Sequence, residues 1–435
     1  MKKNITIAIG TAFQDAGDAT RAIEIAKGIK KYKPKNVSLK IIFLSHGSKF
    51  EKRVEELGFE IYQVSPKLAG KGLYEDLKMT THNLIGDKNL AREMILGEIE
   101  AYKKIKPNVV LHGFWPMAGI ARRMQEKEIP GICFIPLPLT ESFFDVIPDV
   151  PEQIKIFQIF PKKLRMFIFR HIPKFIKQRI PLITQKNIRK AAYEVGWKGK
   201  PLLNIFDLLR SDVTIVNDLP DYYDLTKFPK NVFFSGPLFS KAKNNDEIDP
   251  EILKIFNSKN KNTKIFCTLS SSGSEEMLKE VIKTFTYGES LNWDGVILSP
   301  HYPLNKAKRV LGSRKGVYIT DKFVPAKEIN ELADVVICHG GQGTLQTAIS
   351  SGTPLVGVAM QQEQFINLCN LESKGVAIRI PKSKWNSKEI QKAVSKIISN
   401  DSFKKSALKL KKRMLEMDGE KNSAKIIWKF LEEKV

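Results

Sequence analysis

Residues 334–367 read DVVICHGGQGTLQTAISSGTPLVGVAMQQEQFIN. Asp334–Cys338 is a short, apolar, β-branched run, which is what a strand buried on both faces of a parallel sheet requires. His339, Gly340, Gly341 and Gly343 follow at once, and glycine lets the backbone come close to a ligand. A helix is expected from Thr344, and the N–H groups and dipole of a helix start attract an anion. Pro354–Val358 then reads as the next strand, followed by another helix. Strand, glycine turn, helix and strand make a βαβ unit and hence a parallel sheet, with a phosphate or diphosphate expected at the turn. His339 supplies a further donor beside it.

Outward from this segment the same alternation continues. Lys264–Leu269, Gly295–Leu298, Gly316–Ile319 and Gly375–Ile380 read as strands of the same series. An earlier series comprises Asn4–Gly10, Val37–Leu44, Glu60–Val64, Asn108–His112, Gly131–Pro136 and Asp212–Val216. Between the first two of these, Thr20–Tyr32 carries Ile23, Ala26 and Ile29 at helical spacing. The fold class is therefore α/β: two Rossmann-like domains facing a cleft, with ligands at the carboxyl ends of strands. The expected boundaries are an N-terminal domain over 1–238, a polar linker over 239–250 and a C-terminal domain over 251–417. An amphipathic helix over 418–435, with Ile426, Ile427, Phe430 and Leu431, is expected to pack back on the N-terminal domain.

Composition narrows the rest. A chain of 435 residues with 42% hydrophobic content can bury two sizeable cores, which excludes a disordered protein. The 71 lysines and arginines against 47 acids give a formal net charge of +24, favouring anionic partners. No nucleic-acid-binding signature accompanies that charge, so nucleic acid is not expected. Cys133, Cys267, Cys338 and Cys369 lie far apart in apolar stretches, as small buried hydrophobes in a reducing compartment. No apolar run reaches the ~18 residues of a membrane helix. The lysines and short apolar run at the start resemble a signal peptide, but Asp15 and Asp18 follow at once. A cytoplasmic location is expected.

One segment breaks the alternation. Residues 141–193 carry no clear strand, and 153–193 contain no acid but many lysines, arginines and phenylalanines. Helical spacing puts Leu164, Ile168, Ile172 and Phe175 on one face and Lys163, Arg170, Lys174 and Lys177 on another. Pro173 and Pro181 interrupt that pattern. A basic amphipathic helix with aromatics suits an anionic membrane surface, and a peripheral contact with one is the functional expectation. The alternative is a helical insertion whose apolar face packs on its own domain.

The wider spacing of 339–367 resembles the donor signature of nucleotide-sugar glycosyltransferases with the GT-B fold, in the UDP-glycosyltransferase-like group. The residues that carry the likeness are His339 to Thr344, Ala348, Gly352-Thr353-Pro354, Glu363-Gln364 and Asn367. The resemblance implies that His339, Gly341, Gly343 and Thr344 hold the diphosphate and that Glu363 and Gln364 hold sugar hydroxyls. Cys267–Ser274 looks like that group's phosphate loop, adding Ser271, Ser272 and Gly273. Asp321–Ala326 looks like its base-binding segment, adding Phe323 and Val324. Thr347 stands where the group usually has a ribose-binding Glu, and Glu363 where it more often has Asp. Both departures alter the donor pocket.

Gly10-Thr11 and Gly17-Asp18 resemble the opening of sterol-type and antibiotic-type members. The likeness makes Asp18 the general base that takes a proton from an acceptor hydroxyl. Asp18 also suits an N-cap of a helix starting near Ala19, and Asp15 is the rival base. The resemblance thus implies inverting transfer from a UDP-sugar or similar donor to a hydrophobic alcohol, and the basic segment suggests a lipid or sterol-like acceptor. It implies no metal and no cofactor beyond the nucleotide sugar as co-substrate. A small natural product as acceptor, a related nucleotide-sugar epimerase, and a non-catalytic basic binding protein are the alternatives. His46, His82, His112, His171 and His301 have no partner spacing and read as structural or surface residues.

Overall fold

The computed structural model describes residues 3–80, 82–152, 154–238, 248–269, 274–299, 302–322 and 324–434. It divides into two units: Met1–Val146 with Phe167–Leu238 and Asp418–Val435, and Ile147–Met166 with Phe239–Met417.

The first unit is built on β1 (Lys3–Gly10), β2 (Val37–Ser45), β3 (Glu60–Gln63), β4 (Val109–His112), β5 (Gly131–Ile135), β6 (Val213–Val216) and β7 (Val232–Phe234). All pair in parallel, in the order β3-β2-β1-β4-β5-β6-β7. β4, β5 and β6 are buried along their whole length, because helices cover both faces of a parallel sheet. The order turns between β1 and β4, where Gly10 pairs with His112, and the loops leaving that turn are where such sheets bind ligands. Three helices matter to those loops: α1 (Ala16–Lys31), α2 (Lys88–Ile105) and α3 (Pro116–Arg123).

α1 begins at Ala16 rather than near Thr20 or Ala19, because Asp15 is the cap. Its backbone is extended and its Oδ2 accepts from the Asp18 N–H at 2.9 Å. Asp18 is therefore in the first turn, and the capping role falls to Asp15. The C-terminal helix Gly419–Lys434 packs in this unit, burying Ala424, Ile427, Trp428, Phe430 and Leu431 in its core. A Cβ on Gly28 of α1 would come within 2.7 Å of the Glu420 carbonyl oxygen, so glycine permits that close approach. Trp428 Nε1 completes the join by donating to the Ile29 carbonyl at 3.2 Å.

The segment around α4 (Lys162–His171) departs from the expected arrangement. The face it buries carries Met166 and Phe169, not Leu164, which is exposed. Phe169 meets Phe144 edge-on with ring centroids 5.8 Å apart. Phe175 is 59% exposed, since α4 ends at His171 ahead of Pro173 and the expected stripe does not continue. Lys177 is buried: its Nζ donates to the Arg170 carbonyl at 3.1 Å and lies over the Phe169 ring. The expected single insertion in the N-terminal domain is also corrected, because Ile147–Met166 belongs to the second unit. There Asp149, fully buried, pairs with Arg165 and lies 3.7 Å from Arg379, which also pairs with Glu152.

The second unit contains β8 (Thr263–Thr268), β9 (Trp293–Leu298), β10 (Val317–Thr320), β11 (Val335–Cys338), β12 (Leu355–Gly357) and β13 (Ala377–Arg379). They too are parallel, in the order β10-β9-β8-β11-β12-β13. The order turns between β8 and β11, with Thr268 paired to Cys338. The helices leaving this edge are α5 (Glu275–Thr284), α6 (Gln342–Ser351) and α7 (Gln362–Ser373). Of the expected linker, 239–247 lie outside the described residues. Its far end is already structured, since Asp249 caps a helix that Pro250 opens.

Candidate active site

Of the residues expected to hold the donor, His339 and the glycine turn after it lie at the carboxyl edge of β8 and β11. His339 follows β11 directly, Gly340 takes φ +85°, and Gly341 is the N-cap of α6. α6 thus starts at Gln342 rather than Thr344. A Cβ on Gly340 would lie 2.8 Å from Leu368 Cδ1 and 2.9 Å from the Gln364 carbonyl oxygen. Only glycine fits both that space and that backbone. Gly341 offers no side chain to cap α6, and the first turn carries no acid. No side chain thus caps its first turn, an arrangement that suits an anion. A Cβ on Gly343 would meet nothing within 4 Å, so the helix start faces open space there.

His339 is buried, and its Nδ1 has no hydrogen-bond partner among the described residues. Burial pulls its pKa down to about 4, with the Thr268 backbone acting the other way, so the ring is neutral at pH 7. A buried, unpaired ring nitrogen beside an uncapped helix start suits a phosphate oxygen. Thr347 lies on the same helix, where its hydroxyl donates to the Gly343 carbonyl at 2.6 Å.

α7 is tied to this turn. Asn367 Nδ2 lies 3.2 Å from both the Gly340 carbonyl and Glu363 Oε1. That bridge connects the glycine turn to the expected sugar carboxylate. Gln364 differs from expectation: its Oε1 accepts from the N–H groups of Met360 and Gln361, at 2.8 and 3.2 Å. It forms a capping box with Gln361, so its carbonyl oxygen is committed to the backbone. Val324 is buried. Phe323, Ser271, Ser272 and Gly273 lie outside the described residues.

Asp18 is in the first unit, off the carboxyl edge of β1, and is almost wholly buried. Burial raises its carboxyl above the usual carboxylate range, and Asp15 adds to this. The Arg21 guanidinium, which pairs with it, and the Phe114 backbone N–H pull the other way. Sequence reasoning missed both partners. Arg21 follows Asp18 at helical i+3 spacing, a signal that was available; Phe114 lies in a distant turn and left none. His112 is structural: its Nε2 meets Ser211 Oγ at 2.7 Å and its Nδ1 the Gly113 carbonyl at 3.1 Å. All four cysteines are buried and free.

Two α/β units, each with its loops at a switch point, place the chain among GT-B glycosyltransferases in fold. The solved glycosyltransferase of kitacinnamycin matches with a TM-score of 0.69 and 17% identity, covering 99% of each chain. Glycosyltransferase VinC in complex with dTDP matches with a TM-score of 0.65 and 12% identity, over 99% of this chain and 100% of that one. In sequence, residues 305–427 match the C-terminal domain of the Erythromycin biosynthesis protein CIII-like family. The PGL/p-HBAD biosynthesis glycosyltransferase of Mycobacterium tuberculosis is 22% identical over 340 residues, 77% of this chain and 73% of the relative. Together these likenesses support a nucleotide-sugar glycosyltransferase of the GT-B fold. No described helix is long and apolar enough to cross a membrane.

Proposed function

We propose that the chain transfers a sugar from UDP, or a closely similar nucleoside diphosphate, to a hydroxyl of a hydrophobic acceptor in one inverting displacement. The observation that carries the reading is the uncapped start of α6 beside the neutral His339, whose Nδ1 has no hydrogen-bond partner among the described residues. In the reaction the acceptor oxygen attacks the anomeric carbon and its proton passes to Asp18. The bond from that carbon to the diphosphate oxygen breaks, and the nucleoside diphosphate leaves. First-turn N–H groups of α6 and His339 offset the charge that grows on the leaving diphosphate. Glu363 and the amide nitrogen of Gln364 orient the sugar, Thr347 meets the ribose, and Phe323 with Val324 meets the base. The raised pKa of Asp18 makes it a better proton acceptor than an ordinary aspartate.

A lipid-like alcohol is the first acceptor reading. Exposed Phe167 and Phe175, with Arg170 and Lys174 beside them in sequence, suit an anionic bilayer from which such an acceptor is drawn. A freely diffusing natural product is the second, favoured by the likeness to the kitacinnamycin enzyme.

The test is Asp18→Asn. Loss of a general base lowers kcat by about 10²–10⁴-fold. The substitution also removes the carboxylate that pairs with the buried Arg21, so the melting temperature should fall. A second variant, Asp18→Asn with Arg21→Gln, should recover stability but not turnover. UDP affinity should stay unchanged in both, because the diphosphate residues belong to the other unit. Near-normal kcat in the recovered double variant would remove Asp18 from the chemistry and turn attention to Asp15.

A further inference from the structure

Asp18 and Arg21 stand about one turn apart on α1. A guanidinium nitrogen of Arg21 pairs with Asp18 Oδ1, and the Arg21 and Asp18 side chains are 7% and 3% exposed. Arg21 also lies over Gly17. A Cβ built on Gly17 would come 3.0 Å from Asp15 Oδ2 and 3.5 and 3.7 Å from the two terminal nitrogens of Arg21. The guanidinium thus crosses the start of α1, against the same α-carbon as the Asp15 carboxylate, and glycine leaves the room for it.

This is a costly place for a cation. Helical side chains lean toward the N-terminus, which carries the guanidinium back over the first turn. That turn holds the positive end of the helix dipole. Burial adds the cost of desolvation. An apolar residue would serve the packing more cheaply, as Ile25 does one turn further on. What an apolar residue cannot supply is a fixed positive partner for the Asp18 carboxyl. Buried alone, that carboxyl would hold a proton from water and could not take one from an acceptor. We propose that Arg21 is a positioning residue for Asp18: its guanidinium, laid across Gly17, keeps the carboxylate as the anion and in one orientation. The opposite pulls of burial and of the Arg21 charge on the Asp18 carboxyl agree with this. For its catalytic meaning the assignment rests on the reading of Asp18 as base. The hold of Arg21 on the carboxylate stands apart from that reading.

The ionisation of Asp18 is read without any substrate. Protein labelled with ¹³C at the aspartate side-chain carboxyl is titrated by NMR, and the Asp18 signal is assigned by its loss in Asp18→Asn. The other titratable groups facing Asp18 are Asp15, at the cap of α1, and Cys133, on β5, and neither is altered. An arginine beside an aspartate lowers its midpoint by about 1–3 pH units, so Arg21→Gln and Arg21→Met should each raise the Asp18 midpoint by that much. Arg21→Lys returns a positive charge without the planar fork and should undo part of the rise. Lys27→Met removes a cation of the same helix, paired with Glu24 at 2.8 Å, and should leave the midpoint in place.

Arg21→Met fills the space with an apolar chain and keeps the test open should Arg21→Gln fold poorly. A lower melting temperature with the Asp18 midpoint unmoved in Arg21→Met would overturn the inference and leave Arg21 with stability alone. An equal rise in Lys27→Met would also overturn it, because the effect would then belong to the charge of the whole helix. Full turnover in Asp18→Asn with Arg21→Gln would instead overturn the catalytic reading and leave the hold of Arg21 on Asp18 untouched.

Discussion

Gly343→Ala separates folding from binding at the donor site. Gly343 is the second residue of α6, and a Cβ built on it meets no atom within 4 Å. Alanine is the better helix former by up to about 1 kcal/mol, so the melting temperature should hold or rise. On the proposed reading, the open space is where the diphosphate oxygens come against the first-turn N–H groups. A methyl group there displaces them. Each charge-assisted hydrogen bond lost costs about 1.5–3 kcal/mol, which weakens UDP binding by about 10- to 150-fold for one such bond. Gly340→Ala is the contrasting control. Its positive φ and the contacts at 2.8 and 2.9 Å should destabilise the fold by about 2–4 kcal/mol. Titration calorimetry with UDP and with dTDP, paired with melting curves, reads both effects. A Gly343→Ala protein that binds UDP and dTDP as tightly as wild type would refute the placement of the diphosphate at this helix start.

Three further outcomes are expected. The unfolded chain holds a proton on His339 below its ordinary pKa of 6.5, whereas the folded chain refuses it down to about 4, so stability is full above pH 6.5 and falls as pH drops toward 4. His339→Gln should flatten the slope of unfolding free energy against pH in that window by about one proton, and an unchanged slope would contradict the buried neutral ring. Thr347→Glu places a carboxylate where relatives are expected to hold ribose and should tighten UDP binding by about 5- to 30-fold, the gain of one or two hydrogen bonds; weaker binding would move the ribose elsewhere. Sedimentation with vesicles should require anionic lipid and weaken with salt, and Phe167→Ser with Phe175→Ser should abolish it, whereas equal binding to neutral vesicles would exclude the basic segment as the cause.

The order of elements was legible because parallel strands write themselves as unbroken runs such as Val335–Cys338, with glycine or a polar residue at each end. The glycine turn after β11 was legible for the same local reason. What escaped depends on choices that local sequence leaves equal. Asp15 and Asp18 are both good caps, and only the fold decides that Asp15 takes the role. In the apolar stripe of 164–175 the break at Pro173 was legible, but the buried face was not: Met166 and Phe169 are buried while Leu164 is exposed. Gln364 was read only as a sugar ligand, and the capping box that its carbonyl oxygen also makes, three residues after Gln361, was not foreseen. Glu98 and Trp115 meet across residues 17 apart in the chain, with no periodicity to announce it.

The placement of Ile147–Met166 bears on how the protein can be recombined. The second unit is a natural part for chimeras, and the polar stretch before Asp249 invites a single cut. A unit excised there would carry Arg379 away from Asp149 and Glu152, leaving a mostly buried guanidinium without those carboxylates. A stable graft therefore takes two pieces of chain: the main body of the unit and the short stretch from Ile147 that travels with it.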